Sequence, residues 1–219
     1  GRMVTLGSFG GSIVYEFEEP IQNSDQNPYG IDFIVYGNVQ KSETGESYSS
    51  GMEPAAVMVS QDGNTWYELA GSDYYERTTQ HNISMTYTNT DTTFKSAVDV
   101  PWTDSTGASG TVKANTYHSQ AYYPDPLNYG ETNKGTGKNE SYTDASMTVS
   151  GTRVSNSAAL NFGYGDTHAN AAGNDNTAVN PYKENPNYNT NGDGMDISWA
   201  VDTDGNPVQL DSVKYVKIY

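Results

Sequence analysis

The C-terminal stretch GDGMDISWAVDTDGNPVQLDSVKYVKIY, residues 192–219, constrains the fold of this chain more than any other segment. Large apolar side chains occupy every second position over 195–201, a period typical of a strand with one buried face. A TDGN turn sequence follows at 203–206, and a second strand-like segment, apolar on both faces, covers 213–219. The pattern predicts a β-hairpin or strand pair that is dense in carboxylates.

Short strand-like segments separated by turn sequences continue through the rest of the chain, and none has convincing helical periodicity. Segments 55–60 and 66–69 flank SQDGNT, a strong hairpin signal. Many short strands with polar turns predict an all-β fold, a sandwich or jelly roll. The other strands are predicted at 12–17, 32–36, 83–87, 146–150 and 160–164.

Two polar segments rich in Tyr and Asn, 103–143 and 166–191, are too long to be tight turns. Loops of this length in a compact domain are usually functional or disordered, and we expect them to lie over one end or face of the sandwich. Because the chain has neither a linker nor an internal repeat, the sequence predicts a single domain over residues 1–219.

The composition limits the classes of partner. Acidic residues outnumber basic ones 27 to 11, for a formal net charge of −16, so nucleic acid and anionic membrane surfaces are not expected partners. The chain has no cysteine, which excludes disulfides, thiolate metal sites and cysteine catalysis. No apolar run approaches the length of a membrane span, so no membrane insertion is expected.

Four segments together carry a family resemblance: GGSIVYEFEEPI (10–21), GIDFIVYGN (30–38), EPAAVMVSQDGNTWYELAGSD (53–73) and GDGMDISWAVD with VKYVKIY (192–219). The combination resembles a family of bacterial cell-surface proteins found in gut Firmicutes and Bacteroidetes. The resemblance implies secretion, display on the bacterial cell surface and a galactose-binding-like jelly-roll sandwich. It does not imply a ligand, because a fold does not determine function. Some members of the family accompany corrinoid-binding or adhesive modules.

Polar residues at predicted strand ends form a candidate calcium site. Calcium takes about six to eight oxygen ligands, mainly from carboxylates, amides and carbonyls. If the strands 32–36 and 55–60 pair antiparallel, Asn38 and Glu53 lie at the same end of the pair, where Asp193 or Asp196 can join them. In the alternative, these residues are caps, turn formers and solvated strand ends.

Tyrosine is unusually abundant, with 18 residues, and several tyrosines fall in the two long segments. Tyrosine rings flanked by amides suit a glycan, because a ring stacks on sugar C–H faces while amides bond hydroxyls. In the alternative, these rings pin the loops to the sandwich. Trp66 and Trp199 are expected in the core. The candidate ligand-binding residues are Tyr117, His118, Tyr122, Tyr123, His168, Tyr182 and Tyr188.

The sequence has no G-x-S-x-G elbow, HExxH helix or phosphate loop, so no enzymatic activity is predicted. The predicted function is binding of a glycan or another host, matrix or nutrient ligand. The binding domain is expected to be an extracellular, calcium-stabilised, monomeric module of a larger surface protein. One alternative is a spacer that displays neighbouring modules and has no ligand of its own. Another is capture of a small corrinoid-type ligand, with His118 or His168 as the contacting base.

Overall fold

The computed structural model describes residues 6–39, 52–88, 98–114, 126–128, 146–154, 160–168, 180–182 and 192–219. These residues form strands and short 3-10 turns without any α-helix, so the all-β prediction is confirmed, whereas the jelly-roll strand order stays a prediction. None of the described segments is a helix long and apolar enough to cross a membrane. The strands are β1 (Ser12–Gln22), β2 (Phe33–Val35), β3 (Ala55–Ser60), β4 (Tyr67–Leu69), β5 (Gln80–Thr88), β6 (Val100–Asp104), β7 (Ser109–Val112), β8 (Pro126–Asn128), β9 (Ser146–Arg153), β10 (Tyr164–Gly165), β11 (Asp193–Met195), β12 (Ala200–Val201) and β13 (Ser212–Ile218).

Backbone proximity divides the chain into two compact units. The first contains Gly1–Val14, Gln80–Arg153 and Tyr219, and the second contains Tyr15–Thr79 and Val154–Ile218. The prediction of a single domain over 1–219 stays a prediction.

The first unit contains an antiparallel sheet in the order β7-β6-β5-β9. Met85, Tyr87 and Val100 form its buried cluster, and the Tyr87 hydroxyl donates a 3.0 Å hydrogen bond to the carbonyl of Phe9. Hydroxyl groups pair across β5 and β9, and such cross-strand pairs stabilise a sheet. The pairs are Ser84 with Ser150 and Thr86 with Thr148, each at 2.8 Å.

The second unit has the architecture of a β-sandwich. Its larger sheet has the order β12-β4-β3-β13-β1, and β10 also pairs antiparallel with β3. The smaller sheet pairs β2 with β11. Residues of both sheets share one core, as expected for two sheets packed face to face. That core includes Val35, Val57, Val59, Leu69, Met195, Ile197, Val213 and Val216.

The hairpin predicted at SQDGNT is confirmed, because β3 and β4 pair antiparallel with Met58 opposite Glu68. The Asp62 carboxylate closes the turn by accepting the backbone N–H groups of Asn64 and Thr65, each at 2.8 Å. Gly63 adopts φ +76°, a conformation that glycine enters without steric cost.

The predicted turn at 203–206 is confirmed, because Val201 and Pro207 form an antiparallel bridge across it and the Val208 N–H donates to the Ala200 carbonyl at 2.8 Å. The predicted pairing of the two strands is wrong, since β11 pairs with β2, β12 with β4, and β13 with β3. The predicted first strand is interrupted at Asp196, whose carboxylate accepts the backbone N–H of Ser198 at 2.8 Å and caps a 3-10 turn at Ile197–Trp199. This turn interrupts the period of two and buries Asp196 and Ala200, which the alternation places on the exposed face.

The predicted loop over 103–143 is partly wrong, since it contains the end of β6, all of β7 and β8. The Asp104 carboxylate shapes the β6–β7 turn by accepting the N–H groups of Thr106 and Ala108, at 2.9 and 3.0 Å. Pro101 and Gly110 lie within these strands, and both residue types weaken a strand pattern in the sequence.

Candidate functional site

The second unit contains a group of polar residues around Asp166, which we call the Asp166 cluster: Asn38, Glu53, Asp166, His168 and Asp193. Asp166 follows β10, and its carboxylate accepts the backbone N–H groups of Asn38 at 2.6 Å and of Val39 at 3.1 Å. Burial raises the pKa of the Asp166 carboxyl, the two N–H donors oppose this rise, and the nearby charges of Asp193 and Glu53 add to it.

Asp193 is the most buried carboxylate of the Asp166 cluster, at 3% exposure. It accepts hydrogen bonds from the Thr167 backbone N–H at 3.2 Å and from the Thr167 hydroxyl at 2.5 Å. His168 Nδ1 lies 2.7 Å from the same carboxylate. The side chain of Asp193 therefore anchors the segment that follows β10.

Asn38, Glu53 and Asp193 converge on Asp166, but not for the predicted reason, which was an antiparallel pairing of the strands 32–36 and 55–60. β2 does not pair with β3; it pairs with β11, which places Asp193 opposite Val35. β10 pairs with β3, with Gly165 opposite Ala55, and this brings Asp166 toward Glu53. Asp166 itself was missed by sequence reasoning, because nothing in GYGDTH indicates that its backbone adopts φ +59° and turns toward β2.

Asp196, the alternative to Asp193 in the predicted calcium site, lies outside the Asp166 cluster. The Oδ1 atom of Asp196 accepts two hydrogen bonds from Ser198. Asp196 lies near Asp32. Burial raises the pKa of Asp32, and the charge of Asp196 raises it further. The Asp32 carboxylate accepts donors from Ser24, Asn27 and Ile197. These contacts correspond to the capping and turn-forming alternative.

The residues of the Asp166 cluster fit a metal ion poorly. Within the described ranges, no three His, Asp or Glu side chains form a group that could hold a metal ion. The carboxylates of Asp166 and Asp193 instead accept hydrogen bonds from main-chain and side-chain donors. Calcium binding stays a prediction.

A second feature of the same unit is a group of three rings, Phe162, Tyr182 and Trp199, which we call the aromatic patch. The ring centroids lie 5.0 Å apart for Phe162 and Trp199, 5.3 Å for Phe162 and Tyr182, and 6.0 Å for Tyr182 and Trp199. Trp199 Nε1 donates a 3.2 Å hydrogen bond to the Tyr182 hydroxyl oxygen. Tyr182 nevertheless remains 50% exposed. The aromatic patch is thus ordered by its own contacts and open to solvent.

Backbone hydrogen bonds hold the aromatic patch against residues 70–72. The Trp199 carbonyl accepts the N–H of Ala70 at 2.9 Å, and the Phe162 carbonyl accepts the N–H of Ser72 at 3.0 Å. Next to Phe162, Gly163 adopts φ +82° and approaches Gly71 so closely that a Cβ on Gly163 would lie 2.4 Å from the Gly71 Cα. The position of Phe162 therefore depends on two glycines in close contact.

The aromatic patch contains one predicted ligand-binding residue, Tyr182. Its other two residues, Phe162 and Trp199, were not predicted to bind a ligand. Trp199, expected in the core, packs against it with only part of its surface. Phe162 was missed, because the strand predicted at 160–164 shortens to Tyr164–Gly165 and leaves Phe162 in the segment before it. His168 lies in the Asp166 cluster. The remaining candidates lie outside the described residues: Tyr117, His118, Tyr122, Tyr123 and Tyr188.

Neither protein-family models nor curated proteins match this sequence. The resemblance to bacterial cell-surface proteins therefore stays a prediction.

Proposed function

We propose that this chain is a non-enzymatic binding domain whose aromatic patch takes a polyhydroxylated ligand, a glycan. The observation that supports the proposal best is the half-exposed ring of Tyr182, held between Phe162 and Trp199. An aromatic ring stacks well on the C–H face of a sugar.

The hydrogen bond between Trp199 and Tyr182 gives the aromatic patch a polar group as well as a stacking face. Because the Tyr182 oxygen accepts from Trp199 Nε1, its own O–H remains available to donate to a ligand oxygen. Burial raises the pKa of Tyr182, the Trp199 hydrogen bond opposes the rise and the charge of Asp196 adds to it, so the hydroxyl keeps its proton at neutral pH. A ring fixed in advance also loses less conformational entropy on binding.

The proposal extends to the location of the domain, an extracellular module of a larger bacterial surface protein. The four segments quoted above support this location, and the cysteine-free, strongly acidic composition is compatible with it. Calcium stabilisation through Asn38, Glu53 and Asp193 is a weaker part of the proposal, because the carboxylates of Asp166 and Asp193 already accept hydrogen bonds from the chain. Corrinoid capture is the weaker alternative, because the side chain of His168 is only 11% exposed.

Replacing Tyr182 with alanine is expected to weaken glycan binding by roughly tenfold or more, about 1.4 kcal/mol, because the exposed stacking face is lost. The measurement is isothermal titration calorimetry of the full chain against a panel of soluble glycans. Tyr75→Ala is the matched control. Tyr75 is 66% exposed, packs edge to face on Tyr74 at 4.9 Å and donates a 3.0 Å hydrogen bond to the Gly205 carbonyl.

The control separates a binding surface from exposed tyrosine in general. We expect Tyr75→Ala to bind every glycan as the unmodified chain does. Equal losses in the two variants would contradict the aromatic patch as the binding surface, and no binding of any glycan by the unmodified chain would support the spacer alternative.

A further inference from the structure

The aromatic patch presents a surface that attracts positive charge. The faces of aromatic rings carry negative electrostatic potential, and a cation within about 6 Å of a ring centroid is attracted, most strongly by tryptophan. Phe162, Tyr182 and Trp199 are mutually inclined by 49° to 81°, so ring faces point in several directions from one small area.

Asp196 adds a carboxylate beside the aromatic patch. Asp196 is 7% exposed, and its Oδ1 atom accepts both hydrogen bonds from Ser198. Among the described residues, Oδ2 of Asp196 receives no hydrogen bond, and no Lys, Arg or His forms an ion pair with this carboxylate. Asp196 caps the 3-10 turn that ends at Trp199, and the Trp199 backbone N–H donates a 3.2 Å hydrogen bond to the Asp196 carbonyl, so this residue lies beside the aromatic patch. Its charge also acts on the Tyr182 hydroxyl. The negative charge at this position is therefore not neutralised by a cation of the described chain.

The surroundings strengthen this field. Asp32 lies close enough to Asp196 for the two charges to interact, and its own hydrogen-bond partners are neutral groups of Ser24, Asn27 and Ile197. The whole chain carries a formal net charge of −16. Such a field raises the local concentration of cationic ligands and lowers that of anionic ones.

The ring spacing indicates what kind of cation fits. With centroids only 5.0 to 6.0 Å apart, the three rings touch one another and leave no space between them to enclose a quaternary ammonium group. The accessible surface is the outer ring faces, with Tyr182 half exposed. A ligand that lies across these faces and carries its charge at one side fits better than a compact cation.

We propose that the ligand of the aromatic patch is a glycan with free amino groups, a polymer of amino sugars that stacks on the rings and directs an ammonium group toward Asp196. This inference rests on the proposed glycan-binding function and names its substrate class. The sugar C–H face supplies the stacking contact and the protonated amine supplies the charge complement. An N-acetylated sugar of the same backbone supplies only the stacking contact.

The test compares two probes that differ only in this charge: an oligomer of β-1,4-linked glucosamine and its fully N-acetylated counterpart, at a mildly acidic pH that protonates the amines. We expect the full chain to bind the glucosamine oligomer about tenfold more tightly. Asp196→Asn keeps the acceptor that caps the 3-10 turn and removes the charge. In this variant, we expect the ratio of the affinities for the glucosamine and acetylated oligomers to fall toward one, while the affinity for the acetylated oligomer is unchanged.

Thermal melting of Asp196→Asn checks that the variant folds, and Tyr182→Ala checks that the glucosamine oligomer binds at the rings. Equal affinity for the two oligomers overturns the inference about charge. If Tyr182→Ala still weakens the binding of both oligomers, the proposed glycan-binding function stands without that inference. Binding of the glucosamine oligomer that Tyr182→Ala leaves unchanged also overturns the inference, because it reveals only general attraction to an acidic chain. No binding of the glucosamine oligomer overturns it as well, and the glycan panel then decides the proposed function separately.

Discussion

Replacing Gly163 with alanine is expected to lower the free energy of unfolding by about 2–4 kcal/mol and to abolish ligand binding at the aromatic patch. Two effects add. Gly163 adopts φ +82°, where an alanine is strained, and its new Cβ would lie 2.4 Å from the Cα of Gly71. The Gly71 backbone cannot move aside cheaply, because its neighbours Ala70 and Ser72 bond to the carbonyls of Trp199 and Phe162.

Gly107→Ala provides the control for this prediction. Gly107 adopts φ +85°, nearly the same conformation, but a Cβ there would meet nothing within 4 Å. We therefore expect it to show only the backbone strain, about 1–2 kcal/mol, and to leave binding intact. Urea unfolding and calorimetric titration of both variants measure the difference. Equal destabilisation of the two variants, with binding retained in Gly163→Ala, would mean that the contact between Gly71 and Gly163 does not position Phe162.

The second large effect is expected at Asp193, where substitution by alanine should lower the free energy of unfolding by about 3 kcal/mol. The substitution removes the acceptor for the Thr167 N–H, the Thr167 hydroxyl and His168 Nδ1. Asp193 is 3% exposed, so water cannot easily replace the lost acceptor. Urea unfolding at neutral pH measures the loss.

Asp166→Asn is the matched variant in the same Asp166 cluster, and its expected effect has the opposite sign. Asparagine keeps an acceptor for the N–H groups of Asn38 and Val39 and tolerates φ +59°. It also removes a charge that burial and the charges of Asp193 and Glu53 disfavour. We therefore expect Asp166→Asn to be at least as stable as the unmodified chain at neutral pH.

The pH dependence follows from the raised pKa of Asp166. A carboxyl with a higher pKa in the folded than in the unfolded chain holds its proton more tightly when folded. Its stabilising contribution is therefore present at acidic pH and lost as the pH rises through the folded pKa. The advantage of Asp166→Asn should accordingly shrink as the pH is lowered and the unmodified Asp166 becomes protonated. A variant markedly less stable than the unmodified chain at neutral pH would contradict this account.

The sequence predicts the local elements well where pattern and turn chemistry agree. β3 and β4 follow from two apolar segments around SQDGNT, because a hairpin is a local structure whose register is set by its turn. The C-terminal prediction fails at Asp196, since an aspartate two residues before a serine fits a strand edge and a 3-10 cap equally well. The difference depends on the Oδ1 contacts with Ser198, which the alternation does not reveal.

The candidate sites are predicted less completely, because they depend on contacts between residues far apart in the chain. Asn38 and Asp193 meet through Asp166, and this requires the pairing of β2 with β11 and of β10 with β3. Tyr182 is found by composition, as an aromatic ring in a polar loop. Its partner Phe162 cannot be found in this way. The hydrogen bond from the Ser72 N–H to its carbonyl, which positions Phe162, involves residues of no distinctive type.

The most direct test of the central claim, that the aromatic patch is the binding surface, is fluorescence titration of a chain whose only tryptophan is Trp199. The chain has three tryptophans, so the variant Trp66→Phe, Trp102→Phe leaves Trp199 as the sole indole reporter. We expect the tightest-binding glycan of the panel to shift and change the Trp199 emission saturably, with the dissociation constant found by calorimetry. Calorimetric binding of undiminished strength with no change in Trp199 emission would place the ligand elsewhere and contradict the account.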